Sequence, residues 1–214
     1  MIGSSIVRPA GRAVVRSLLG SEEGAVAYDS FTAADGTTIS GRVLDTGQTW
    51  TVQAGTWSVE SNRAKKTNNL AAVQEATCEV RRADTWLEAD FLLAANDDNH
   101  YGGLVARFTD ANNYWRIALA KFPGSDLLRI EQYEGAVRTI VASMPVATLA
   151  NQTRRLRARV DGSSIRAIWD TGEALEYSAF SFNLNQTKFG VFFFVSGDAA
   201  ADYTLRNADN WRAW

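Results

Sequence analysis

Residues 102–119 contain two runs of alternating side chains, separated by the short polar segment Asp110-Ala111-Asn112-Asn113. Asn and Asp favour turns because their side chains bond the nearby backbone and tolerate positive φ, so this segment predicts a β-hairpin. Alternation in each strand places on one face the apolar residues Leu104, Ala106 and Phe108 of the first arm and Trp115, Ile117 and Leu119 of the second. Because the opposite faces are also half apolar, the hairpin is expected in the middle of a β-sandwich.

From Ala27 onward the chain continues as short runs of period two, separated by turn residues and without a segment of helical period. Predicted hairpin turns are Ala54-Gly55, Glu134-Gly135 and Asp161-Gly162. The predicted strands are 27–31, 49–53, 56–60, 63–67, 70–74, 76–82, 85–94, 102–109, 114–121, 126–133, 136–143, 154–161, 164–170, 174–180, 188–196 and 201–206. Such a pattern indicates an all-β fold, an antiparallel two-sheet jelly-roll β-sandwich over residues 27–214.

Strand 188–196 is apolar on both faces, which predicts a central position in its sheet. Alternation places Phe192 and Phe194 on the face opposite to the one shared by Phe189, Val191, Phe193 and Val195. We expect the first pair to line a covered surface or an aromatic groove, and the second set to enter the core.

Charge and cysteine content exclude several classes of protein. The net charge is −2 with balanced acids and bases, so the composition favours neither a nucleic-acid partner nor an anionic membrane. Cys78 is the single cysteine and His100 the single histidine, so no internal disulfide and no histidine-rich metal site is expected. No apolar run reaches the roughly 20 residues of a membrane span, and no continuous signal-peptide core is visible. We therefore expect synthesis and folding in the cytoplasm.

Residues 1–26 differ from the rest, because Pro9 and Gly11 interrupt any early helix and the apolar residues follow no regular period. One interpretation is a disordered tail. The other is an extended arm that anchors the protein on copies of itself or on another protein, since a solvated tail would not need so many apolar side chains. The candidate anchoring residues are Ile6, Val7, Val14, Val15, Leu18 and Leu19.

Two motifs resemble a known family. The run from Gly103 to Trp115, Gly-Leu-Val-Ala-Arg-Phe-Thr-Asp-Ala-Asn-Asn-Tyr-Trp, is similar to the central motif of concanavalin A-like (laminin G-like, jelly-roll) β-sandwich modules of phage and bacterial surface proteins. Asp29-Ser30-Phe31, the run Asp45–Val52 and Gly55-Thr56-Trp57 resemble the opening of the same modules. The closing run Ala201–Leu205 resembles their last strand, which implies that this strand returns beside the first. The family includes lectins, glycosidases and structural modules, so the resemblance does not name a ligand.

The glucanase branch of that family carries catalytic carboxylates on one strand, and this chain offers Glu88 and Asp90 beside Trp86. Two residues on one strand face are about 7 Å apart, near the spacing that glycosidases use. The third carboxylate of the branch is absent, since apolar residues follow Asp90. We therefore expect no catalytic residues and no enzymatic activity. In this interpretation, Glu88 and Asp90 belong to a polar, outward-facing side of their strand.

Sugars stack their apolar faces on aromatic rings and bond to Asn, Asp and Arg, so one surface near the hairpin is a candidate glycan-binding site. A core role for the aromatic residues is the alternative. The candidate residues are Tyr101, Arg107, Asn113, Tyr114, Trp115 and Arg116. The neighbouring loop Asn96, Asp97, Asp98 and Asn99 could supply oxygen ligands to a structural calcium ion, which is common in this family, or could be a solvated turn. No other cofactor is expected.

A row of arginines at 154, 155, 157 and 159 is typical of a solvated outer strand, and it is also a candidate site for an anionic glycan.

Two functions from different classes remain open. A fold that usually meets sugars outside the cell, in a chain without a visible secretion signal, is expected of a non-enzymatic phage virion protein from a tail, spike, fibre or head decoration. Its head would bind host-surface carbohydrate, its arm would hold other virion proteins, and it would be a homo-oligomer. The alternative is a secreted or surface glycan-binding module, or a glycoside hydrolase.

Overall fold

The computed structural model describes residues 25–67, 73–92, 100–122, 124–147, 153–170, 172, 174–195 and 207–214. These residues form fifteen β-strands and no helix. The strands are β1 (Ala27–Asp29), β2 (Thr51–Ala54), β3 (Trp57–Glu60), β4 (Arg63–Lys66), β5 (Gln74–Glu79), β6 (Thr85–Leu92), β7 (His100–Asp110), β8 (Asn113–Phe122), β9 (Ser125–Glu134), β10 (Val137–Val146), β11 (Thr153–Asp161), β12 (Ser164–Trp169), β13 (Ala174–Ser178), β14 (Lys188–Val195) and β15 (Asn207–Ala213). The all-β prediction is confirmed.

The strands form two antiparallel sheets that pack face to face. The seven-stranded sheet has the order β10-β9-β8-β7-β14-β5-β2, with the predicted hairpin β7–β8 near its centre and β14 central beside it. The eight-stranded sheet has the order β13-β12-β11-β6-β15-β4-β3, and β1 also pairs with β15. Ala27 lies opposite Ala213, so the first and last described strands lie side by side, as expected for the ends of the sandwich. The strand that returns beside β1 is 207–213, which the sequence did not predict, whereas the resemblance placed it at the run Ala201–Leu205.

The core lies between the two sheets and contains most of the hairpin and β14 residues that alternation assigned to it. Trp50, Trp57 and Trp169 are each at most 3% exposed, and Leu104, Ile117 and Leu119 of the hairpin are fully buried. Phe189, Val191 and Phe193 of β14 belong to the same cluster. Full burial of such a side chain stabilises the fold by about 1.5–3 kcal/mol, so packing supplies the main driving force. Burial also raises the pKa of the Cys78 thiol, which stays protonated within this core.

The opening motif of the family has a structural role here. The Asp29 carboxylate is fully buried, and it accepts hydrogen bonds from the Trp50 indole N–H at 2.7 Å and from the Phe31 backbone N–H at 2.7 Å. Arg42 donates to both carboxylate oxygens, at 3.1 and 3.0 Å. The Asp45 carboxylate accepts from Ser30 through its backbone N–H and its hydroxyl. These bonds hold the loop between β1 and β2 against the core. They also engage the carboxylates of Asp29 and Asp45, the two acids of this motif, in hydrogen bonds within the protein.

A β-bulge changes the face on which Phe108 lies. The register between β7 and β8 shifts between Ala106 and Asp110, and Arg107 has a positive φ of 49°. Phe108 therefore packs with Tyr114 on the outer side of the seven-stranded sheet, with ring centroids 5.4 Å apart. The predicted shared face of Leu104, Ala106 and Phe108 is wrong at Phe108, because the bulge adds a residue to the alternation.

The predicted turns differ from the observed ones in two ways. Gly135-Ala136 and Gly162-Ser163 form the β9–β10 and β11–β12 turns, each one residue later than predicted. Ala54-Gly55 was predicted to join a hairpin and does not, because β2 pairs with β5 in one sheet while β3 pairs with β4 in the other. This short segment crosses between the sheets.

The predictions for residues 1–24, for most of the strand 70–74 and for the strand 201–206 lie outside the described residues. The last described strand is β15, at residues 207–213. Within the described ranges, no helix is long and apolar enough to cross a membrane.

Candidate functional site

The outer face of the seven-stranded sheet carries a group of aromatic and charged side chains. Alternation in β7, β8, β9 and β14 turns these residues away from the inter-sheet core, where their strand neighbours Leu104, Ile117 and Phe193 lie. We call this surface the aromatic face, and its residues are Tyr101, Tyr114, Arg116, Glu131, Tyr133, Arg138, Phe192 and Phe194.

Arg116 is the buried centre of the aromatic face. Its guanidinium donates to the Glu75 carboxylate, with 3.1 Å between Nε and Oε1, and to the Tyr114 and Tyr133 hydroxyl oxygens at 2.6 Å each. The guanidinium carbon also lies 4.3 Å from the Tyr133 ring centroid and 4.5 Å from that of Phe192. Because each guanidinium nitrogen donates to a protein group and the Tyr133 and Phe192 rings lie against the guanidinium, Arg116 holds the surrounding rings in place.

The two tyrosines beside Arg116 are neutral. Burial raises the pKa of Tyr133 and of Tyr114, and the nearby Arg116 charge opposes this effect only in part. Their rings stack 4.6 Å apart with an interplanar angle of 7°. The aromatic face is thus a rigid, preformed surface with protonated phenols.

A small cavity opens beside this cluster. It has a volume of about 60 Å³ and is lined by Val73, Tyr101, Arg116, Glu131, Tyr133, Arg138, Phe192 and Phe194. Arg138 lies on the edge strand β10 and pairs with Glu131, with 3.1 Å between Nε and Oε2. Its guanidinium carbon lies 5.3 Å from the Tyr101 ring centroid. Its side chain is 35% exposed, whereas that of Glu131 is 2% exposed. Arg138 therefore forms the solvent-facing wall of the cavity.

The structure brings together only some of the predicted glycan-binding residues. Tyr101, Tyr114 and Arg116 lie on the aromatic face, with Tyr114 and Arg116 buried within it. Trp115 points the other way, is fully buried in the core and lies 4.5 Å from the Phe180 ring centroid. Its inclusion in that surface is wrong, because successive residues of a strand face opposite sides.

Arg107 and Asn113 have structural contacts at the ends of the hairpin. The fully buried Arg107 side chain donates to the Gly162 carbonyl oxygen at 2.7 Å and to Asp84 Oδ1 at 2.8 Å, so it ties the bulge to the other sheet and does not join the aromatic face. Asn113 donates to Asp110 within the turn and accepts from the Gly135 N–H. The candidate calcium loop, residues 96–99, lies outside the described residues.

Sequence reasoning missed Glu75, Glu131, Tyr133 and Arg138. A usable signal was present in β9, where Arg129, Glu131 and Tyr133 alternate with the buried Leu128 and Ile130. Because β9 pairs with β8 and is joined to β10 by a tight turn, this alternation places the three polar residues on the same outer face as Arg116. The predicted groove residues Phe192 and Phe194 do lie on this face.

The candidate catalytic carboxylates lie on the other sheet. Arg155 binds Asp90 through two contacts, Nε to Oδ1 at 2.8 Å and Nη2 to Oδ2 at 3.2 Å. Glu88 lies 3.4 Å from Arg155 and 3.7 Å from Arg212. Both acids are thus paired with arginines on the outer face of the eight-stranded sheet.

Comparison with solved structures gives neighbours of low sequence identity. The carbohydrate-binding module CBM66 from Bacillus subtilis has a TM-score of 0.59 at 16% identity, over 75% of this chain and 91% of that chain. The CBM2 module of the Lactobacillus casei BL23 phage J-1 evolved Dit has a TM-score of 0.59 at 12% identity, over 89% and 95% of the two chains. A glycosyl hydrolase family protein from Mycobacterium fortuitum has a TM-score of 0.53 at 15% identity, over 89% and 99%.

No protein-family model matches the chain, and a search of curated proteins gives no match. The two antiparallel sheets, their strand pairing and these neighbours agree with the resemblance found in the sequence. The chain has the concanavalin A-like β-sandwich fold.

Proposed function

We propose that this protein is a non-enzymatic glycan-binding module of a virus particle, and that its aromatic face contacts the sugar. The observation that carries the proposal is the Arg138–Glu131 pair beside Tyr101, which puts hydrogen-bonding groups next to a partly exposed ring. Support also comes from structural neighbours that are carbohydrate-binding modules, one of them from a phage protein.

The chemistry of the aromatic face suits a sugar edge. An apolar pyranose face stacks on an aromatic ring, while arginine donors and carboxylate acceptors bond the hydroxyls. The cavity of about 60 Å³ is well below the roughly 300–1,000 Å³ of pockets that enclose a ligand. We therefore expect the face to hold one edge of a sugar unit, which contacts the Tyr101 ring and the exposed part of the Arg138 side chain.

The test is a glycan array followed by titration calorimetry on the best ligand. Tyr101→Ala and Arg138→Ala should each weaken binding about tenfold or more, because each removes a stacking or charge-assisted contact. Thr139→Ala is the matched control, since Thr139 is exposed, precedes Ile140 on the same strand and lies next to Arg138 without lining the cavity. Binding that survives both changes would place the ligand elsewhere, and an array without any ligand would refute the glycan-binding proposal.

The absence of enzymatic activity is part of the proposal. A glycosidase needs one carboxylic acid and one carboxylate placed around the scissile bond, and here arginines hold both Glu88 and Asp90. We expect no release of reducing sugar from β-glucans. Turnover that disappears in a Glu88→Gln variant would contradict this expectation and favour a glycoside hydrolase.

The virion role rests on the arm of residues 1–26, of which residues 1–24 lie outside the described residues. In the proposal, their apolar side chains anchor the protein on copies of itself or on other virion proteins, and the sandwich projects outward as a homo-oligomer. Val26 already belongs to the sandwich, because its N–H donates to the Ala213 carbonyl oxygen at 2.7 Å. Deletion of residues 1–24 should leave a folded head that no longer joins its particle or oligomer.

Normal incorporation of the truncated protein would refute the anchoring proposal. Recovery of the full chain outside cells in an uninfected culture would instead favour the alternative, a secreted or surface glycan-binding module.

A further inference from the structure

The outer face of the eight-stranded sheet, on the opposite side of the sandwich, has a row of arginines along β11. Arg155, Arg157 and Arg159 are all exposed, because they alternate with the buried residues Leu156 and Ala158. We call them the arginine row. Side chains two apart on a strand are about 7 Å apart, so three guanidinium groups follow one line on this surface.

Most of the charge on this surface is neutralised within the protein. Arg155 pairs with Asp90, and Arg159 lies 2.5 Å from Asp161. Near the start of β11, next to Arg155, Arg154 lies 2.6 Å from Asp170. These pairs fix the acids and leave them little capacity to repel an anion.

Arg157 differs from its neighbours in the row. No hydrogen bond or ion pair joins its guanidinium to any residue in the described part of the chain. Glu88 lies directly across from it in the register of β6 and β11, yet the Glu88 carboxylate contacts Arg155 and Arg212. A guanidinium presents donors in a planar fork that matches a carboxylate or a phosphate group, so this one is available to an external anion.

Arg157 also borders a groove. The groove has a volume of about 450 Å³ and is lined by Asp90, Thr153, Arg155, Arg157 and Asp170. Its lining combines neutralised ion pairs with a threonine hydroxyl, which are groups that bond sugar or polyol hydroxyls. Within this lining, Arg157 is the member whose charge has no partner among the described residues.

We propose that this groove binds an acidic polymer, with Arg157 holding one oxyanion and the remaining lining bonding the adjacent hydroxyls. The shared chemistry is a single negative oxygen group on a hydroxyl-rich chain, either the carboxylate of a uronic acid or the phosphodiester of a polyol phosphate. The site is separate from the aromatic face and does not depend on the function proposed for it.

The experiment uses the full chain and three probes: polygalacturonate, poly(glycerol phosphate) and the neutral polymer pullulan. Affinity electrophoresis and calorimetry would compare wild type with Arg157→Ala and Arg166→Ala. Arg166 is the matched control, because it is exposed on the same face, makes no bond or ion pair with a described residue and does not line the groove. The protein's net charge of −2 disfavours general attraction to polyanions, so binding would be local.

We expect wild type to bind one or both acidic polymers and not pullulan. Arg157→Ala should weaken this binding roughly 10- to 100-fold, the effect of losing a charged hydrogen-bonded contact, while Arg166→Ala stays within about twofold. Which acidic polymer binds distinguishes carboxylate from phosphodiester recognition. Absence of binding to both polymers, equal binding of pullulan, or equal losses in the two variants would overturn the proposal.

A final variant separates this site from the aromatic face. Tyr101→Ala should bind the acidic polymer as wild type does, and Arg157→Ala should keep any affinity for a neutral glycan. Loss of acidic-polymer binding in Tyr101→Ala would overturn the assignment to the groove.

Discussion

The buried pair of Arg116 and Glu75 should contribute to stability and not to ligand contact. Their side chains are 3% and 2% exposed, so either charge left alone would lie in a poorly solvated position. Removing one member of such a pair costs about 3–5 kcal/mol, whereas replacing both by apolar residues is often close to neutral. Arg116→Met and Glu75→Leu should each lower the free energy of unfolding by that amount.

The double variant should recover most of the loss. If its total cost stays below about 3 kcal/mol, the two single changes couple by at least roughly 3 kcal/mol, at the upper end of measured pairs. Urea unfolding followed by tryptophan fluorescence measures all four proteins, and an unchanged m-value shows that the unfolded state is comparable. Single costs below about 1 kcal/mol, or costs that add within about 0.5 kcal/mol, would refute the interpretation of Arg116 as buried support.

Three further changes probe other parts of the fold. Asp29→Ala should cost about 3 kcal/mol or more, because the Trp50 indole N–H and the Arg42 guanidinium lose their buried acceptor; a shift in thermal midpoint of only one or two degrees would contradict this. Gly103→Ala should cost about 1–3 kcal/mol, since its Cβ would lie 2.0 Å from the Ile117 carbonyl oxygen; wild-type stability in urea would contradict the close approach. Burial raises the pKa of Tyr133 in the folded protein. The neutral phenol therefore contributes fully to the free energy of unfolding below the unfolded pKa of about 10. This contribution falls as the pH rises above that value, by at most about 1.4 kcal/mol per pH unit. Tyr133→Phe should flatten this alkaline slope in pH-dependent unfolding, and an unchanged slope would count against it.

The strand pattern could be predicted from the sequence because each strand carries its own period-two signal. Turn positions were predicted less accurately than strands, as the β9–β10 turn shows. There Gly135 and Ala136 both have positive φ, of 57° and 67°, as a type I′ turn requires. Ala rarely adopts this conformation, so local preference placed the turn one residue early at Glu134-Gly135.

Sheet membership could not be predicted from local sequence. Ala54-Gly55 looks like a hairpin turn because Gly55 follows one β run and precedes another. Pairing partners far along the chain decide otherwise: Thr51 lies opposite Thr77 in one sheet, and Trp57 lies opposite Lys66 in the other. The bulge at Arg107 likewise could not be predicted from local sequence. It reverses the face of Phe108, because a single added residue reverses the face of every later residue in the strand.

The candidate site was predicted only in part because its geometry depends on long side chains that cross strands. Arg138 on β10 reaches over β9 and β8 to the Tyr101 ring on β7, and no sequence spacing indicates that contact. Tyr101 and Arg116 were found because they lie near the hairpin itself. Trp115 was included as an aromatic residue beside the hairpin loop, although alternation already placed it on the strand face opposite Arg116.

The distribution of bonded groups explains why the family resemblance predicts the fold and not the ligand. The motif residues Asp29 and Trp50 bond to each other in the buried loop, and Arg107 of the central motif is fully occupied at the bulge. A side chain that already satisfies a buried partner cannot bind a sugar without breaking that bond. Recognition must therefore come from residues outside the motifs whose side chains reach solvent, such as Tyr101 beside its cavity and Arg157 beside its groove. Because such residues can change without affecting the core, modules of this fold can bind different ligands while keeping one architecture.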